Sequence, residues 1–248
     1  MLTRDKIIGI FCLIDDIMQK IEHKEDVRST VSDSEVATTA IVSAMYFGGN
    51  QFHAINFMKS MGFIPKMIEK SRFNRRLHKL GELLYHLFSQ VGKHFKEVRC
   101  EMHYIMDSFP VAVCDNIRIQ RSKMISGKKW RGYTASMRRY FYGVKVQLLT
   151  TGSGVPVEFH FTPGKQADVK ALDKLLLDLP AESSVYADSA YTDYNREDEL
   201  FENKFIRLKV QRKSNSKRID SLSQVLEKLK MRKRVETAIS DIKKLFPR

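Results

Sequence analysis

Near Arg99 the spacing of apolar residues changes period, and that change limits what the chain can fold into. Before it, Ile7, Ile10, Phe11, Ile14, Ile17, Met18 and Ile21 recur at intervals of three and four, the pattern of an amphipathic helix. After it, stretches such as "RRYFYGVKVQLLT" alternate, as half-buried strands do. Two units are therefore expected: an all-helical one over residues 1–98 and a mixed one over 99–248. A chain of 248 residues, 43% of them hydrophobic, can bury a substantial core.

In the helical part, "SDSE" (Ser32–Glu35) has the form of a capping box, with Ser32 and Glu35 satisfying the first free amides of the helix that follows. The uncharged run from Val36 to Met58 is long enough to span a bilayer, but "GGNQFH" interrupts it. Two helices and a turn are the better reading, with no membrane partner. "KSRFNRRLHKLGELLYHLF" reads as one further helix, with Phe73, Leu77, Leu80, Leu84 and Leu87 inward and Arg72, Arg75, Arg76 and Lys79 outward. That basic face suits a small DNA-binding domain, and equally an ordinary solvated helix.

Past Arg99, "EMHYIMDSFPVAV" is a strand that reaches Asp107 and breaks at Pro110. "RRYFYGVKVQLLT" and "GVPVEFHFTPG" form a hairpin around "TGSG", and "ADVKALDKLLLDL" has the spacing of a helix. Then come the strand "SSVYAD", a short helix from about Tyr194, the strand "KFIRLKV" and a long helix from about Leu222 to Phe246. Three antiparallel strands followed by α, β, α, β, α is the order of the ribonuclease H-like fold, an α/β (α+β) class with a mixed five-stranded sheet. Its first and fourth strands are neighbours, which would set Asp107 beside Asp188.

Two adjacent carboxylates repel each other unless a cation lies between them, and oxygen-only donors suit Mg²⁺ or Mn²⁺. The last helix supplies a third acid. Val235, Ile239, Ile242 and Phe246 make an apolar seam, Glu236 lies at its edge, and Arg232 and Lys243 fall within about 40° of Glu236. Two ions held by Asp107, Asp188 and Glu236 would support in-line phosphoryl transfer on a nucleic acid, with the two bases beside them for phosphate. Other readings exist for two of the acids: Asp107 could cap the turn at "DSFP", and Glu236 could pair with Arg232 or Arg234, whereas Asp188 is hardest to explain as a turn residue. Asp115, Asp168 and Asp193 are competing acids, of which Asp168 reads as an N-terminal helix charge and Asp193 as a turn residue.

A net charge of +14 points to a polyanionic partner. The excess is concentrated late, with 15 Lys and Arg against 4 Asp and Glu from Lys204 to Arg248. Within "QRKSNSKR", Arg212, Lys213, Lys217 and Arg218 are candidate phosphate contacts, or the residues of a solvated loop. Trp130, in "SGKKWRGY", is a candidate contact for a displaced base. Cys12, Cys100 and Cys114 are far apart and make neither a disulfide framework nor a zinc knuckle, which fits a reducing cytoplasm.

"DSFPVAVCDNIR", "RGYTASMRRYFYGVKV", "VPVEFHFTPGKQADVKAL", "VYADSAYTDY" and "RKRVETA" resemble the DDE transposases of bacterial insertion sequences, most closely the family numbered nine-eighty-two. "DSEVATTAIVSAMYF" and "SRFNRRLHKL" resemble that family's N-terminal half. The resemblance implies an enzyme that cuts the inverted repeats of its element and joins the 3′ ends to target DNA, acting as a homodimer on double-stranded DNA in a bacterial, nucleoid-associated setting. By motif, Asp107, Asp188 and Glu236 become the metal ligands. Related families carry Tyr, two residues, Arg, three residues, Glu, six residues, Lys on the last helix. Arg232, Glu236 and Lys243 fit, whereas Leu229 stands at the tyrosine position and Met231 also stands where a tyrosine is expected. Relatives continue past "KKLFPR", so a shortened or truncated form is expected. The alternatives are an inactive remnant that only binds DNA and a purely hydrolytic ribonuclease H-like nuclease.

Overall fold

The structure, a computed structural model, describes residues 4–114, 116–134 and 138–245. Asp115 and Phe246, named above, lie outside them. The chain divides into two compact units, residues 1–91 with 240–248, and residues 92–239.

The first unit is helical: α1 (Arg4–Lys20), α2 (Asp33–Tyr46), α3 (Gln51–Ser60), α4 (Lys70–Lys79) and the start of α5 (Gly81–Arg99). The capping box is present, with Ser32 accepting from the Glu35 amide and Glu35 accepting from the Ser32 amide. Ser34, Val36, Ala37, Thr38, Thr39, Val42 and Ser43 of α2 are all buried. The uncharged run is thus two helices and a turn, α2 and α3, with α2 packed into the core and α3 burying Ala54, Ile55 and Met58. No helix among the described residues is long and apolar enough to cross a membrane. The helix expected across 70–88 is instead two, interrupted at Leu80–Gly81, where glycine weakens helix propagation and Leu80 turns into the core.

The second unit is built on a sheet of β1 (His103–Cys114), β2 (Arg131–Thr134), β3 (Arg139–Thr151), β4 (Pro156–Pro163), β5 (Ser184–Ala187) and β6 (Arg207–Val210), with helix α6 (Tyr194–Lys204) and α7 (Leu222–Leu245) as far as Ile239. Strand β3 runs antiparallel to β1 on one edge, and β2 and β4 follow one another along its other edge. β5 is parallel to β1 and β6 is parallel to β5. The order β4-β3-β1-β5-β6 is the ribonuclease H-like arrangement expected from the sequence, with β2 as a sixth strand that was not. Tyr104, Met106, Leu149, Val185, Leu208 and Val210 fill its core.

Two further expectations are corrected. β1 does not break at Pro110 but continues to Cys114; past Met106 it has left β5 and pairs only with β3, and a strand with one sheet neighbour tolerates proline. "ADVKALDKLLLDL" is not an α-helix: Asp168–Ala171 forms a short 3₁₀ segment, residues 172–174 continue it only as a turn, and Leu177 adopts a positive φ of 47°. Past the turn, part of its backbone is satisfied from outside. Glu158 accepts from the Leu176 amide, and Lys204 and Lys96 donate to the carbonyls of Leu176 and Asp178. Leu172, Leu175 and Leu177 are buried, while Leu176 is exposed.

Gly92 marks a close approach within this unit, since a Cβ there would lie 2.1 Å from the Val157 carbonyl oxygen of β4. Gly9, in the middle of α1, has nothing within 4 Å. Gly92→Ala should therefore destabilise by about 1–3 kcal/mol, because the overlap is with backbone. Gly9→Ala should stabilise by up to about 1 kcal/mol from helix propensity alone. Urea titrations of both variants would show opposite signs, and a stabilised Gly92→Ala would contradict the packing described.

Candidate active site

The parallel register of β1 with β5 ends at Met106 opposite Ala187. The next residue on each strand is an aspartate, so Asp107 and Asp188 stand side by side at the carboxyl ends of adjacent parallel strands. Asp188 opens a 3₁₀ turn, Ser189–Tyr191, yet its side chain makes no capping bond, so its carboxylate is not used by local structure. Asp107 accepts from the Ser108 amide at 2.7 Å. Its pKa is pushed up to about 6, first by burial and then by the charges of Asp188 and Glu236, against the opposing pull of the Ser108 amide and Arg232.

The third acid arrives on α7, whose buried residues Met231, Val235 and Ile239 form the seam. Glu236 adjoins it and is exposed. Arg232 lies one turn earlier and joins the acids: its Nε donates to Glu236 at 3.0 Å, its Nη2 is 3.8 Å from Asp188, and its Nη1 donates to Gln211 at 3.0 Å. Glu236 and Asp188 in turn hold the guanidinium more firmly protonated than usual. Asp107, Asp188, Gln211, Lys228 and Arg232 share one shallow cleft.

A model of the transposase DDE domain matches residues 99–248. The chain belongs to this family. A search among curated proteins returns no match. A solved structure, described as Mos1 transposase paired-end complex with left transposon end, aligns over 94% of this chain and 87% of that one at 12% identity and a TM-score of 0.27. That likeness is too loose to carry an argument, and the fold rests on the sheet order above.

Around the acids of this DDE domain lie further residues, of which sequence reasoning missed Lys228 and Glu227. Lys228 is buried, and its Nζ donates to the Val210 carbonyl at 2.8 Å and to Asp220 at 2.6 and 2.7 Å. It sits three residues before Met231, so a lysine in line with an apolar seam was the available signal. Glu227 beside it accepts from Tyr186 and pairs with Lys209. Tyr191, fully buried, donates to Gln147, which donates to Asp168 at 2.9 Å; Lys145 holds the same Asp168 oxygen at 2.9 Å. Asp168 is thus a strand-bound acid rather than a helix charge, and Asp193 caps α6 through the Asn195 and Arg196 amides.

The expected DNA contacts separate into two groups. Arg72, Arg75, Lys213, Lys217 and Lys243 are exposed, and Trp130 is half-exposed with the Lys129 ammonium over its ring. Others face the protein. Arg76, expected outward, pairs with Asp33 and donates to the Val31 carbonyl. Arg212 makes a two-pronged pair with Glu197, and Arg218 bonds Glu197 and Asp198.

Oxygen-only donors, and a half-buried Asp107 with a raised pKa beside a second carboxylate, suit a hard divalent cation. Among the described residues, the one group of three His, Cys, Asp or Glu with donor atoms mutually within 4.8 Å is elsewhere, at His23, Glu25 and Asp33. There Asp33 is already neutralised by Arg76. Asp107, Asp188 and Glu236 are spread wider, with Arg232 bridging two of them.

The raised pKa of Asp107 has a definite sign. With its pKa raised from an ordinary 3.8 to about 6 in the folded chain, Asp107 costs the fold nothing well below pH 3.8, destabilises it progressively as pH rises from 3.8 to about 6, and adds a constant penalty above that. In metal-free buffer the stability of Asp107→Asn relative to wild type should rise by up to about 3 kcal/mol between about pH 3 and about pH 8. Melting curves across that range check it; a difference independent of pH would refute the burial of this carboxylate.

Proposed function

We propose that this chain is a metal-dependent transposase that cuts DNA at the ends of a mobile element and joins the freed 3′ ends to target DNA. The observation that carries the reading is the placement of Asp107 and Asp188 at the ends of adjacent parallel strands, with Glu236 and Arg232 on α7 coupled to them. Asp107, Asp188 and Glu236 would hold Mg²⁺ or Mn²⁺, two ions in all. When bound, such ions activate the attacking oxygen and stabilise the leaving 3′ oxygen.

The chain's own residues do the rest. Arg232 offers a planar donor fork that can turn from carboxylate to phosphate oxygens. Lys228, through Asp220 and the Val210 carbonyl, ties α7 to the end of β6 and so keeps Glu236 and Arg232 over the strand ends. Double-stranded DNA would be held by Arg72 and Arg75 in the helical domain, and by Lys213, Lys217 and Lys243 in the basic C-terminal part. Trp130 lies in a basic turn, available to a base. Engagement of two terminal repeats at once calls for a homodimer on DNA.

The test is direct. With a duplex of the element's terminal repeat and Mg²⁺, the purified chain should nick at the element end. Asp188→Asn should bind that duplex within about twofold of wild type and lose nicking by about a thousandfold or more, the scale of several kcal/mol of metal stabilisation. Joined 3′ products separate a transposase from a purely hydrolytic nuclease. Binding without metal-dependent nicking by wild type would identify an inactive remnant, and wild-type cutting by the variant would remove Asp188 from the chemistry.

A further inference from the structure

From Asn116 to Val157 the chain contains no aspartate or glutamate, although its average acid content would place about five in such a span. Nine lysines and arginines lie in the same stretch. Lys145 is bound to Asp168; the other eight are exposed, and none has an ion pair among the described residues. A solvated surface ordinarily mixes both signs, so this one is built for an anion.

The fold shapes these charges into an arm. Beyond Asp107, β1 and β3 continue together to Cys114 opposite Tyr142, and β3 then pairs with β2 alone through Gly132–Phe141, Tyr133–Tyr140 and Thr134–Arg139. What results is a two-stranded ribbon. Tyr133 and Tyr140 stand directly opposite one another, on one face, with ring centroids 4.9 Å apart. Both remain exposed, at 50% and 67%. Arg131 shares their face; Lys128, Lys129 and Arg139 flank it. The two rings are tilted at 52° to one another, and this aromatic pair is left in solvent beside cations that have no ion pair among the described residues.

Its position is also informative. Asp107 pairs with Leu148, eight residues from Tyr140 along β3, and a strand advances about 3.4 Å per residue. The tyrosine pair therefore lies up to about 27 Å from the acids, on the side toward which the parallel strands open. Duplex DNA rises about 3.4 Å per base pair, so the distance corresponds to about eight base pairs.

We infer that the β2–β3 ribbon is a docking arm for duplex DNA about eight base pairs from the bond cut at Asp107 and Asp188. A two-stranded ribbon fits the major groove. The cations take phosphates on either side, and the tyrosine pair packs against the groove wall. The inference rests on the transposase reading for the location of the cut, and charge alone supports the nucleic-acid partner.

The experiment uses the full chain and a fluorescent terminal-repeat duplex extending well past the cut on both sides. Arg131→Gln with Arg139→Gln should lower the slope of log affinity against log salt by about 2, since each phosphate contact contributes about 0.9. Hydroxyl-radical protection should disappear about eight base pairs from the nick and persist near it. Tyr133→Ala with Tyr140→Ala should weaken the same protected patch, and the salt slope should fall with it to the extent that the arm no longer docks. Thermal midpoints within about 2 °C of wild type would show that these exposed changes leave the fold intact. An unchanged slope and footprint in the arginine variant would overturn the ribbon while leaving the catalytic reading standing. Wild-type binding without cutting would sink the catalytic reading, with the arm still judged by slope and footprint. No salt-dependent DNA binding by wild type would overturn both.

Discussion

Two like charges held at the ends of adjacent parallel strands are the constraint around which this catalytic domain is arranged. Asp107 and Asp188 are placed by backbone register, and the sheet cannot move them apart without slipping β5 against β1. Repulsion and burial together lift the Asp107 pKa, so the site is electrostatically incomplete by itself. Arg232 offsets part of that deficit from α7, reaching Asp188 and Glu236 at once. A carboxylate pair of this kind favours whatever cation can approach it, which is the physical basis of the metal proposal.

Because the compensation comes from a helix, the helix has to be fixed. α7 is seated by Met231, Val235 and Ile239, but apolar contacts resist sliding poorly, and polar ties supply the register. Lys228 is bound to β6 and Asp220, Glu227 to Tyr186 and Lys209, and Arg234 donates to the Gly152 carbonyl at 2.7 Å. Removing one member of the buried Lys228–Asp220 pair would leave its partner uncompensated. The chain thus spends many of its C-terminal basic residues on architecture. The acid-free ribbon holds its cations outward, and that contrast separates charge used for folding from charge left for a partner.

The share of this that could be read from sequence follows how local each signal is. The change of period, the Ser32–Glu35 capping box, five of the six strands and the placement of Asp107 beside Asp188 all follow from neighbouring residues or from strand order. Failures came where distant groups intervened. "ADVKALDKLLLDL" has helical spacing, yet it turns only as far as Leu175, after which Glu158, Lys96 and Lys204 from other elements bind the backbone of Leu176 and Asp178. β2 is four residues long and becomes a strand only because β3 lies beside it. Pro110 looked like a terminus, but whether a proline ends a strand depends on which edge has a neighbour.

The sequence by itself determined the division into helical and mixed parts, the order of elements, and which acids could meet on that order, since periodicity and strand succession are properties of the chain. Only the tertiary structure decided which charges are spoken for. Arg212 and Lys213 are adjacent in sequence, yet one is locked to Glu197 and the other faces solvent. Ion pairing is set by distances between elements, so nothing in a run of basic residues tells a phosphate contact from an internal tie.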